Sequence, residues 1–77
     1  MAKTTEKEIP EYTIEFGKHL RKLRIDKPAS IEEIAYKAGI DAQNLRKYEL
    51  GRQDMRISML KRLADALEIS VSKLTDF

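Results

Sequence analysis

The chain has 77 residues, no cysteine, and 15 Lys and Arg against 13 Asp and Glu, for a net charge of +2. That length holds one domain with a small core, and the missing thiols exclude disulfides and thiolate metal sites. No apolar run approaches the ~20 residues that cross a bilayer, and no charged-then-apolar leader opens the chain, so a cytoplasmic protein is expected.

Charge is spread unevenly. Residues 1–16 carry Lys3 and Lys7 against Glu6, Glu8, Glu11 and Glu15, a net −2. Residues 40–62 carry Arg46, Lys47, Arg52, Arg56, Lys61 and Arg62 against Asp41, Glu49 and Asp54, a net +3. Positive charge is thus displaced to the middle, where a phosphate-facing surface has room to form. Alone, this distribution is equally the pattern of solvated helix faces.

Residues 1–12 are polar and lack apolar periodicity, and are expected to form a flexible tail ahead of a single domain at 13–77. From there the apolar spacing is helical almost throughout. A first helix is predicted over 13–25, with Phe16, Leu20 and Leu23 inward and Lys18, Arg21 and Lys22 outward. Pro28 breaks it, because the residue before a proline avoids the helical region. Ser30 stands three residues before Glu33, the spacing of a reciprocal capping box. The helix it opens carries Ile34, Ala35 and Ala38 inward and ends at Gly39, which is free to turn left-handed.

Asp41 is a good N-cap for a third helix, with Leu45 and Tyr48 inward and Gly51 as its stop. Residues 52–56 read as a polar connection. A fourth helix over 57–67 is expected to bury Ile57, Leu60, Leu63, Ala64 and Leu67. Ser70 caps a short fifth bearing Val71, Leu74 and Phe77. No strand-like alternation appears, so the fold class is all-α, with five helices.

The informative segment is IEEIAYKAGIDAQNLRKYEL, residues 31–50. Ala35 falls where two short helices approach, and Gly39 makes the turn. Ile34, Ala38, Ile40, Leu45 and Tyr48 fill the wedge between them. Small, turning and apolar residues at these spacings, bracketed by two caps, define a helix-turn-helix.

From Phe16 onward the chain resembles the phage-repressor-like, or xenobiotic-response-element type, helix-turn-helix family. The likeness lies in FGKHLRKLR, SIEEIAYKAGIDAQNLRKYELG and ISMLKRLADALEISVSKL. It implies a compact, lambda-repressor-like five-helix domain whose third helix enters the major groove of double-stranded DNA. Carried over by position, Ala42, Gln43, Asn44 and Lys47 face the base edges, with Arg46 beside them. The residue types agree, since Gln or Asn pairs with adenine's edge and Lys or Arg with guanine's. Ser30, Arg52, Arg56 and Lys61 are the corresponding phosphate contacts. Arg24 and Glu49 match the family's partly buried ion pair. Two departures stand out: Ile31 occupies a position that is often a polar phosphate contact, and Met55 one that is often proline.

A homodimer is expected, because one recognition helix reads only a few base pairs. Met55, Ile57, Val71, Leu74 and Phe77 are the apolar candidates for its contact, and an inverted-repeat operator follows. His19, the only histidine, is expected at the surface near phosphate, and Tyr36 and Tyr48 as packing groups. No nucleophile–base pair, phosphate-cradling glycine loop or carboxylate cluster points to an enzyme, a metal, a cofactor or a small-molecule ligand. The leading expectation is a sequence-specific transcriptional regulator, most simply a repressor. The alternatives are a protein-interaction module of the same fold, such as an antitoxin, or a restriction–modification controller protein.

Overall fold

A computed structural model describes residues 11–77. Five helices follow one another: α1 (Glu11–Asp26), α2 (Ile31–Ala38), α3 (Ala42–Glu49), α4 (Ile57–Leu67) and α5 (Val71–Leu74). Among the described residues there is no strand. Helix α1 starts two residues earlier than the apolar spacing predicts, so Glu11 and Tyr12 are helical. The rest of the expected tail lies outside the described residues.

Local chemistry sets most helix ends. The Ser30 hydroxyl accepts from the Glu33 amide at 3.0 Å, Asp41 from Asn44 at 2.7 Å, and Ser70 from Lys73 at 3.0 Å. Each satisfies one of the amides that a helix start leaves without an internal partner. The capping box at Ser30 is only half made. Glu33 turns toward Lys37, 3.6 Å away on the same helix, instead of reaching back to the Ser30 amide. Gly39 ends α2 with φ +76°. Helix α4 ends at Glu68 with φ +61°, a conformation that normally falls to glycine.

Each helix contributes one fully buried side chain, and these five meet: Leu20, Ile34, Leu45, Leu63 and Leu74. Around them pack Phe16, Ala35, Ala38, Tyr48, Ala64, Ala66 and Leu67. Burying a Leu or Ile of this size contributes about 1.5–3 kcal/mol. Leu74 is therefore the fifth helix's anchor in its own domain and not a residue of a dimer contact.

The structure also corrects the expected burial of Ile57, which is 84% exposed. It is the first residue of α4, where no preceding turn covers it, and Met59 packs against the core in its stead. Tyr36, expected to pack, is 86% exposed on α2.

Candidate nucleic-acid interface

Helix α3 has two faces. Leu45, Tyr48 and Glu49 are buried, and the Tyr48 hydroxyl accepts from Gln53 at 3.2 Å. Gln43, Arg46 and Lys47 are exposed, while Ala42 and Asn44 are half-buried. Positions 43, 46 and 47 are three and four residues apart and so lie along one side of the helix. Two cations and a carboxamide thus stand together where no core contact constrains them. Ala42 packs partly against the core, so it offers less reach than the other four.

The angle at which α3 is presented is fixed at both ends. At its start, the turn from α2 is closed by Gly39 N–H to Tyr36 O at 3.1 Å and Ile40 N–H to Ala35 O at 3.0 Å. Ala35 is buried in this bend. From α4, Arg62 donates to the Gly39 carbonyl at 3.1 Å, placing a cation at the negative end of α2.

At its end, α3 meets α1 almost backbone to backbone. A Cβ on Gly17 would lie 2.5 Å from the Glu49 carbonyl oxygen, and one on Gly51 2.6 Å from the Ile14 Cα. Beside this contact Arg24 grips Glu49 with two of its three guanidinium nitrogens, Nε to Oε2 at 2.6 Å and Nη2 to Oε1 at 3.0 Å. Its remaining prong donates to the Ala29 carbonyl at 2.9 Å. Hydrogen bonding to Glu49 raises the Arg24 pKa above its ordinary value against the opposing effect of burial. The expected ion pair is therefore present, and it ties α1, the α1–α2 turn and α3 together.

The expected phosphate contacts sit in different states. Arg52 and Arg56 are exposed, and neither makes an ion pair among the described residues. Lys61 is exposed but pairs with Asp65 at 3.0 Å, one turn along α4. Ser30 is exposed with its hydroxyl engaged as a cap. His19 departs from expectation: its Nε2 lies 3.0 Å from the Lys73 carbonyl, so it links α1 to α5.

Of the residues expected at a dimer contact, Ile57, Phe77 and Val71 are exposed and Met55 is half-buried against the core. Among the described residues no group of three His, Cys, Asp or Glu is placed to hold a metal. Gly17 and Arg62 are the positioning residues that sequence reasoning missed. A glycine inside a helix costs about 1 kcal/mol relative to alanine, and that anomaly was the one available sign of Gly17's role.

This bend, with its presented helix, is the structural unit of a class of DNA-binding regulators. Residues 15–76 match the model of the helix-turn-helix domain family, and the chain belongs to it. Among solved structures, the chain is similar to the restriction-modification controller protein C.AhdI from Aeromonas hydrophila, with 31% identity over 84% of this chain and 98% of that one and a TM-score of 0.82. It is similar to the clp gene regulator ClgR from C. glutamicum, with 28% identity over 84% of both chains and a TM-score of 0.79. It is also similar to the hypothetical transcription factor NHTF from Neisseria, with 27% identity, 92% and 85% coverage, and a TM-score of 0.73. Comparison with curated protein sequences finds no match. None of the described helices is long and apolar enough to cross a membrane.

Proposed function

We propose that the protein is a non-enzymatic, cytoplasmic, sequence-specific regulator of transcription that binds double-stranded DNA as a homodimer. The observation that carries this reading is the exposed face of α3, with Gln43, Arg46 and Lys47 held outward by a braced helix. In the major groove, Gln43 and Asn44 suit adenine and Arg46 and Lys47 suit guanine, with Ala42 flanking them. Ser30, Arg52, Arg56 and Lys61 hold the adjoining phosphates. Two copies related by a two-fold axis set two such helices about 34 Å apart, one turn of DNA. The operator is then an inverted repeat.

The likeness to C.AhdI, which covers nearly all of that protein, favours control of a restriction–modification system as the biological setting. Selection of bound duplexes from random DNA tests the reading. An enriched inverted repeat, bound by two copies in sedimentation, is the expected result; no enrichment over random duplex would overturn it.

A further inference from the structure

A groove of about 600 Å³ runs along the outer side of α1 to the end of α3. Its apolar part is Ile14, Ile25 and Leu50, which are 40%, 46% and 52% exposed. At its foot Gly51 lies so near Ile14 that a Cβ there would stand 3.0 Å from the Ile14 Cγ1, so the walls from α1 and α3 are continuous. Contiguous exposed apolar surface rimmed by polar groups marks a site of protein contact.

The rim is basic. Lys18, Arg21 and Lys22 line it and are exposed, and none makes an ion pair among the described residues. Of the two carboxylates beside them, Glu49 is taken by Arg24, which leaves Asp26 against three cations. Positions 14, 18, 21 and 25 are three or four residues apart, so they share one side of α1. Ile14 and Ile25 stand three turns, about 16 Å, apart, with the cations between them. The order along the groove is therefore apolar, basic, apolar. Phosphates would gain from the cations but nothing from the aliphatic groups that flank them. A second copy presenting the same groove would set cation against cation.

We infer that this groove docks an acidic amphipathic helix of another protein. A helix laid in a groove is held by apolar anchors about one turn apart or multiples of it. The helix that fits here carries aliphatic side chains at the two ends of a three-turn face and carboxylates between them. One end meets Ile14 and Leu50, the other meets Ile25, and the carboxylates meet Lys18, Arg21 and Lys22. Such charge pairs decide which partner is accepted more than how tightly it is held. Leu50 follows Arg46 and Lys47 by one turn, so the docked partner stands beside the outward face of α3. This inference goes beyond the DNA-binding reading and does not depend on it.

The probe is a synthetic three-turn peptide, stapled as a helix, with Leu at both ends of one face and Glu between, beside a counterpart with Lys for every Glu. Titration of the full chain, followed by Ile and Leu methyl resonances, should show the Glu peptide bound with Ile14, Ile25 and Leu50 shifted. The Lys peptide should bind at least tenfold more weakly. A Lys18→Glu, Arg21→Glu, Lys22→Glu chain should reverse that preference, and Ile25→Ser should weaken the Glu peptide at least tenfold. All four side chains are exposed, and circular dichroism confirms that each variant is folded. A Glu peptide that does not bind, or that binds the parent and the charge-exchanged chain alike, would overturn the inference. In the second case, a log–log salt slope on random duplex that flattens in the exchanged chain would give the cations to DNA. An Ile25 methyl signal of the free chain that moves on dilution would give the groove to a second copy. One that is broadened by a spin label on Ala2→Cys would give it to the chain's own N-terminus; either result also overturns the inference.

Discussion

The α1–α3 junction and the α4–α5 end of this domain are built on opposite plans. At the junction the backbones touch at Gly17 and Gly51, Arg24 and Glu49 form the one strongly buried ion pair among the described residues, and Glu49 is 7% exposed. At the other end Ile57 and Phe77 face outward, and the buried Thr13 hydroxyl has no hydrogen-bond partner among the described residues. The contrast separates two tasks. The junction fixes the orientation of the presented helix within one chain, which needs rigid, satisfied contacts. The open end keeps apolar surface that a chain this small has little means to bury.

Substitutions should respect that division. The largest effects belong to the closed half and to the core. Glu49→Ala leaves the Arg24 guanidinium partly buried without its carboxylate, and urea unfolding should show a loss of about 3 kcal/mol. Leu74→Ala should cost a similar ~3 kcal/mol through the cavity it leaves. Val71→Ala, three residues earlier on the same helix, should cost under about 0.5 kcal/mol in dilute protein. Equal losses for Leu74→Ala and Val71→Ala would break the distinction between anchor and surface.

Gly17→Ala comes next. Its new methyl would meet the backbone of Tyr48 and Glu49, which has little freedom to move. Overpacking of this kind costs about 1–3 kcal/mol, and the gain in helix propensity of about 1 kcal/mol offsets only part of it. A net loss of up to about 2 kcal/mol is expected from the urea midpoint, and a more stable variant would show that the junction yields.

In the open half the sign reverses. Thr13→Val keeps the shape and removes a buried hydroxyl that has no partner among the described residues, so thermal unfolding should show a gain of about 1 kcal/mol. A loss of that size would mean that the hydroxyl is bonded in solution.

The smallest effect lies at the surface between the two regions. Lys27, 2.7 Å away, holds the Glu68 carboxyl below its ordinary pKa of 4.5. A carboxylate with a depressed folded pKa stabilises above its unfolded pKa, and that contribution fades as pH falls through the folded value. The small stability difference between the parent and Glu68→Gln should therefore be present at neutral pH and fade as pH falls from 4.5 through the lower folded value. A difference that persists unchanged in acid would rule out the ion pair as its source.

How much of this was legible in the sequence follows from the range of the interactions. Ser30, Asp41, Ser70 and Gly39 act on residues three or four positions away, so helix count and most boundaries could be read directly. The Arg24–Glu49 pair spans 25 positions, yet it was found, because family resemblance supplied the partner. What could not be read was decided by packing across the fold. Ile57 and Leu74 are both apolar at helical spacing, and only the helices packed around them make one a knob and the other a core anchor. Gly17 is required by the backbone at residues 48 and 49, which its neighbours in sequence do not reveal. His19 gave no sign of its bond to the Lys73 carbonyl, 54 positions away. Of the candidate site, the α3 face was legible, while the braces behind it were not.

The central claim is that the outward face of α3 reads DNA sequence. The direct measurement is the affinity of the parent and of a Gln43→Ala, Asn44→Ala, Lys47→Ala triple variant for the selected inverted repeat and for random duplex, at one fixed salt concentration. Each lost base contact costs about 1–3 kcal/mol. The folded variant should bind both duplexes alike, with its preference for the selected site gone. A folded variant that still binds the selected repeat as tightly and as selectively as the parent would contradict it.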